Sequence, residues 1–263
     1  MPEDRPRPAM GEGDEAWMGG MAEGLWRASR REGMESSPVT EAVRPFLGPE
    51  RSVLDIGAGV GRFAVPLARE GVRVEAVEPS ATMREYLRRH IEEAGVGERV
   101  RVIPEAWPTV SAGVAEVALA AFVVHFAADP LDFVRAMERH ATRRVVVVVH
   151  VDAPFGRWRD LLAPLLPLDR PRRAGPSFKQ LLPALVVADI VPEVRVFEQV
   201  MGPRWSSPQE AEAALTRRFH VDDPVQRETL SRILQDHPES WRSPSPVRAA
   251  ILSWEPGRRT TVD

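Results

Sequence analysis

Residues 53–63 read VLDIGAGVGRF: an apolar run, an acid at Asp55, glycines at 57, 59 and 61, then Arg62 and Phe63. Glycine loses more backbone freedom on folding than any other residue. Glycines at alternate positions therefore mark a chain that turns sharply or lies close against something. SVLDI (52–56) suits a short buried strand, and GRFAVPLARE (61–70) has the spacing of a helix, with Pro66 early enough to bend it. A loop from strand to helix at the carboxyl edge of a parallel sheet leaves helix-start N–H groups exposed, and ligands bind there.

The rhythm continues outward. VRVEAVE (72–78), RVRVI (99–103), EVALAAFVV (116–124) and RVVVVVH (144–150) read as strands. The last is too apolar for a half-exposed strand and should be buried on both faces. Ser80 should cap a helix that runs to Ala94 and is closed by Gly95, and 129–140 should form another. Alternating β and α at this spacing predicts an α/β fold with a mainly parallel sheet.

Residues 1–13 are expected to be a disordered tail and 14–48 a helical N-terminal cover. That cover contains a glycine-diluted helix over 14–31 and a helix opened by Ser37 and Pro38 and followed by Gly48. The core occupies 49–152. In 153–263 the pattern loosens into proline-interrupted helices (154–168 and 177–190), a strand (193–200), helices opened by the Ser207–Glu210 capping box and by Asp223-Pro224, and a closing strand (247–255).

With 263 residues, 43% of them apolar, the chain can build one large domain or a domain with a lid. Its 35 basic and 38 acidic residues leave a net charge of −3, which is no nucleic-acid footprint. The absence of cysteine excludes thiol nucleophiles, disulfides and Cys-ligated zinc, and Lys179 is the only lysine. No apolar stretch reaches the roughly 20 residues of a membrane helix, and no signal segment is evident, so a cytoplasmic protein without membrane partners is expected. Nothing in the sequence signals an oligomeric state.

The loop itself narrows the ligand. Dinucleotide sites use G-x-G-x-x-G; here Arg62 stands at the last glycine of that pattern and opposes the close helix–strand packing such sites need. Glu78, at the end of the second strand and about 20 residues on, is spaced to accept hydrogen bonds from ribose hydroxyls. VLDIGAGVGRFAVPLA, VEAVEPSATM, PEAWPTV (104–110) and AEVALAAFVVHF (115–126), in this order over residues 52 to about 150, resemble the class I S-adenosylmethionine-dependent methyltransferases.

The resemblance implies a Rossmann-like, doubly wound, mostly parallel seven-stranded sheet. The last two strands would complete it, and helical insertions over 151–190 and 203–246 would pack on the substrate side. It implies that Asp55, Gly57, Ala58, Gly59 and Gly61 cradle the methionine part of S-adenosylmethionine. Glu78 and Pro79 would lie at the ribose, and Met83, Glu105, Ala106 and Trp107 around the adenine. Ala121 and Phe122 would line the path to the sulfonium, with Trp17 on a closing N-terminal helix.

Methyl transfer from a sulfonium is an in-line displacement, so positioning and water exclusion supply much of the rate and no metal is required. A base helps where the acceptor arrives protonated, and His125, ahead of His150, is the candidate at the sheet edge; Asp152 lies beside His150. No Asn-Pro-Pro-Tyr-like tetrapeptide follows the fourth strand, which points away from exocyclic amines of bases and toward a small-molecule acceptor. Trp107, Trp158, Trp205 and Trp241 could wall an acceptor pocket or form lid core, and Arg170, Arg172 and Arg173 form a basic loop. Two other readings stand beside this one: a protein that binds S-adenosylmethionine without catalysis, and an NAD(P)-dependent oxidoreductase. Arg62 disfavours the latter, as does the lack of a Tyr/Lys relay.

Overall fold

A computed structural model describes residues 22–26, 29, 37–109, 111–152, 161–165, 177–201, 205–219, 221–242 and 245–257. The expected tail, Trp17, Trp158 and the arginines at 170, 172 and 173 lie outside these residues.

The strands are β1 (Ser52–Ile56), β2 (Arg73–Val77), β3 (Val100–Ile103), β4 (Ala115–Ala121), β5 (Ala141–His150), β6 (Glu193–Met201) and β7 (Ser245–Trp254). They form one sheet in the order β3-β2-β1-β4-β5-β7-β6. β1 pairs in parallel with β2 and β4, β2 with β3, and β4 with β5. The order reverses between β1 and β4, and in open α/β sheets the ligand crevice lies outside the carboxyl ends at that reversal.

As expected for strands covered on both sides, every residue of β4 is buried, and so are Val145–Val149 of β5. One apolar core joins Leu54, Ile56, Val147, Phe133 and Met137 to Leu181, Leu185 and Trp254.

The helices are α1 (Pro38–Val43), α2 (Ala64–Arg69), α3 (Ala81–Ala94), α4 (Pro130–Arg139), α5 (Phe178–Val187), α6 (Pro208–Phe219), α7 (Pro224–Asp236) and α8 (Pro238–Arg242). Their starts follow local chemistry. Ser37, Ser80, Asp129 and Asp223 each accept backbone N–H bonds at an N-cap, and Pro38, Pro130 and Pro224 occupy first helical positions. Gly95 closes α3 in the left-handed conformation at φ +66°. The Ser207 hydroxyl accepts from the Glu210 amide, and the Glu210 carboxylate accepts from the Ser206 amide and hydroxyl.

Three expectations shift. α2 begins at Ala64, not at Gly61, because the loop keeps positive φ through Gly61 (+83°). β4 ends at Ala121: Phe122 turns to φ +60° and a 3-10 turn over Val124–Phe126 follows. α8 was absent from the sequence reading, since five residues carry too little periodicity to register.

The chain divides into two compact units: Met1–Val149 with Gly175–Arg195 and Ala250–Asp263, and His150–Ala174 with Val196–Ala249. α5 belongs to the first. The second has its own core of Leu162, Ala211, Leu215, Leu230, Leu234 and Trp241. Trp241 belongs to this core, and its indole N–H donates to the Leu234 carbonyl at 2.9 Å. Among the described residues no helix is long and apolar enough to cross a membrane.

Candidate functional site

The loop between β1 and α2 is held on its strand side by its own backbone. The N–H groups of Gly57 and Ala58 donate to the Val77 carbonyl at 2.8 and 3.1 Å, and Gly61 N–H donates to Ala58 at 2.9 Å. All three loop glycines have positive φ, but for different reasons. A Cβ on Gly57 would stand 2.5 Å from Val123 Cγ1, and one on Gly61 would stand 2.7 Å from Leu87 Cδ1. These two let the loop lie against the protein. Around Gly59 the nearest atom would be the Gly57 carbonyl oxygen at 4.0 Å. Gly59 is the glycine that faces open space.

Two carboxyls meet this loop. Glu78, one residue beyond β2 and 6% exposed, accepts from Gly59 N–H and from Ser80 N–H, each at 2.8 Å. Burial raises its pKa, against the lowering by those two amides and by Arg84. Arg84 also donates to the Glu78 and Pro79 carbonyls, so α3 braces the strand end. Asp55 in β1 is 1% exposed; it accepts from the Ala64 amide, and its Oδ2 has no partner among the described residues. Burial first and the Glu78 charge second push it up to about 7. A buried carboxylate oxygen without a donor has the capacity to receive a polar or cationic group.

The remaining candidates are distributed as follows. Ala58 and Met83 are buried, Met83 packing with Ala22, Val60, Leu25, Trp26 and Tyr86. Glu105 is occupied by the hydroxyls of Thr109 and Ser111, which bond its two oxygens, and Ala106 is exposed. Trp107 turns to α4: its N–H donates to the Phe133 carbonyl at 3.2 Å and its ring meets His140 edge-on at 5.0 Å. Ala121 ends β4, and the Phe122 amide is held by the Val148 carbonyl at 2.8 Å. His125 lies half-buried in the turn after β4, its ring 4.0 Å from that of Phe126. His150 ends β5, half-buried. Asp152 is engaged by Arg248 at 2.8 and 2.9 Å. Glu116 staples the turn before β1 by accepting from the Gly48, Glu50 and Ser52 amides.

Sequence reasoning missed Trp26, which lies in a helical stretch (22–26) beside the loop. Its ring is 5.7 Å from Tyr86 and 4.4 Å from the Arg89 guanidinium carbon. The signal was available as aromatic and basic side chains on one face of α3. It also missed His90, whose Nδ1 lies 3.0 Å from the Val60 carbonyl.

A parallel sheet reversing at β1/β4, a glycine loop after β1 and a carboxylate after β2 define the fold of the class I S-adenosylmethionine-dependent methyltransferases. A family model described as a methyltransferase domain matches residues 27–182, more than half of the chain, and the protein belongs to that family. The ubiquinone biosynthesis O-methyltransferase of Methylocella silvestris is 36% identical over 94 residues, 36% of this chain and 36% of that protein. The protein of the same name from a Methylobacterium species is 38% identical over 98 residues, 35% of this chain and 39% of that one. The chain thus spans little more than a third of the length of these curated relatives.

Among solved structures, the YcgJ protein of Bacillus subtilis superposes with a TM-score of 0.53 at 15% identity, over 82% of this chain and 96% of that one. A SAM-dependent methyltransferase of Thermotoga maritima does so at 0.50 and 18%, over 94% and 100%. These share the fold.

S-adenosylmethionine is the cofactor of the class, and this loop fits it. The unpartnered Asp55 oxygen suits a cationic ligand, Gly59 leaves room for it, and Glu78 stands at ribose spacing.

Proposed function

We propose that the protein transfers the methyl group of S-adenosylmethionine to a small-molecule acceptor. The observation that carries this is the orphaned, buried Asp55 Oδ2 beside a loop whose central glycine opens onto space. When bound, S-adenosylmethionine supplies an electrophilic methyl on a sulfonium, which leaves as a neutral thioether. Asp55 offsets the positive charge of the ligand, and the Gly57–Gly61 loop, with Ala58, follows its methionine part. Glu78, with Pro79 behind it, accepts from the ribose. Met83 and Ala106 border the adenine. Ala121 and Phe122 line the way to the reacting carbon.

Glu105 and Trp107 contribute by holding the loop after β3, since their polar atoms already bond Thr109, Ser111 and Phe133. The names of the relatives favour a hydroxyl oxygen as acceptor. His125 is then the candidate base for its proton, with His150 second, and Trp17 is assigned to the cover. The N-terminal cover, core and C-terminal lid divide this work, and cytoplasmic residence goes with it. Incubation with methyl-labelled S-adenosylmethionine and a panel of phenols, amines and carbon acids tests the proposal. Label transferred to a phenol supports it; no transfer to any acceptor despite tight donor binding supports a binding protein instead.

A further inference from the structure

α3 presents Met83, Tyr86, Leu87 and His90 at the i, i+3, i+4, i+7 spacing of one helix face, and this face meets the glycine loop and the residues around it. Met83 and Tyr86 pack with Val60, and Leu87 is fully buried beneath Gly61. His90 differs. It is 8% exposed and polar, its Nδ1 stands 3.0 Å from the Val60 carbonyl oxygen, and a Cβ on Gly61 would come within 3.5 Å of the same nitrogen. A carbonyl only accepts, so Nδ1 carries the proton in this contact.

The other hydrogen bonds of residues 57–61 run to Val77 and Glu78 on the strand side, to Ala58 within the loop, and from the Val65 amide of α2 to the Gly61 carbonyl. His90 holds the loop with a side chain from α3. The Val60 carbonyl belongs to the peptide unit that joins Val60 to Gly61, directly after open Gly59. That carbonyl, held by His90, and the Gly61 N–H, held by Ala58, together fix the plane of this peptide and the path of the chain beside Gly59.

We propose that His90 is a positioning residue of the donor site, acting through the Val60–Gly61 peptide without touching the ligand. This rests on the assignment of the loop to S-adenosylmethionine. Without the imidazole N–H the Val60 carbonyl loses this donor, and the peptide plane is held from one side alone, by the Gly61 N–H bond to the Ala58 carbonyl. Nothing in the sequence pattern marks His90, because its partner is a backbone atom 30 residues away.

Three variants separate this role from plain packing. His90→Asn places its amide nitrogen where Nδ1 stood, His90→Gln moves it one bond outward, and His90→Leu removes it. Calorimetric titration with S-adenosylmethionine and S-adenosylhomocysteine is paired with thermal melting of each variant. His90→Leu should weaken both ligands by on the order of tenfold, the worth of one buried hydrogen bond. His90→Asn should recover most of that loss, and His90→Gln should not. If the leucine variant does not fold, the Asn/Gln pair decides.

Equal affinities for Asn and Gln, or a leucine variant that binds like the natural protein, would overturn the role of His90. A natural protein that binds neither ligand would instead overturn the donor assignment.

Discussion

The charge of Glu78 reaches the buried carboxyl of Asp55: burial of Asp55, and secondly that charge, push it up to about 7. In the free protein Asp55 therefore holds a proton below about 7 and is ionised above it. A cationic ligand favours the ionised form, so proton and ligand compete. Affinity for S-adenosylmethionine should rise as pH increases through about 7 and level off above, with proton release on binding below it. Titrations in buffers of different ionisation enthalpy measure both, and Asp55→Asn should flatten the profile. Affinity that falls with rising pH would contradict the role of Asp55.

The glycines should separate by what surrounds them. Gly59→Val forces a β-branched residue to φ +58°, a strain of about 1–3 kcal/mol, while its Cβ would come no closer than 4.0 Å to a protein atom. The protein should stay folded and lose donor binding. Gly57→Ala and Gly61→Ala drive a methyl into Val123 and Leu87 and should lower stability by about 1–3 kcal/mol as overpacked sites do. Thermal melts with titrations distinguish the two classes; a Gly59→Val protein that binds normally would refute the reading of the loop.

Glu78→Ala leaves the Gly59 and Ser80 amides without their acceptor, which should cost about 1–3 kcal/mol of stability besides donor affinity. An unchanged denaturation midpoint would mean that water replaces the carboxylate at both amides.

The second unit offers a control. Leu234, 1% exposed in its core, should cost about 2–5 kcal/mol when replaced by alanine. Because the candidate donor residues lie in the first unit, the folded variant should bind S-adenosylmethionine as before. Loss of donor binding in the folded variant would place part of the donor site in the second unit.

Much of the fold was legible where a residue's own chemistry sets the boundary. Ser80 and Gly95 bracket α3, Asp129-Pro130 and Asp223-Pro224 open α4 and α7, and the valine run of β5 is buried as its composition demands. The end of β4 was not legible. Val123 and Val124 continue the apolar pattern, yet the chain leaves the sheet at Phe122, whose amide makes the last ladder bond to Val148 and whose φ is +60°.

In the proposed donor site, Asp55, Gly59 and Glu78 stand out in the sequence by type and spacing. What the sequence does not reveal is the neighbours these side chains meet: Gly59 and Ser80 at Glu78, Thr109 and Ser111 at Glu105, and Phe133 at Trp107.

The most direct test of the central claim is a calorimetric comparison of S-adenosylmethionine, S-adenosylhomocysteine and NAD on the natural chain. Saturable binding of the first two, abolished in Gly59→Val, with no heat from NAD, is the predicted result. Tight NAD binding with no response to either sulfur ligand would contradict it.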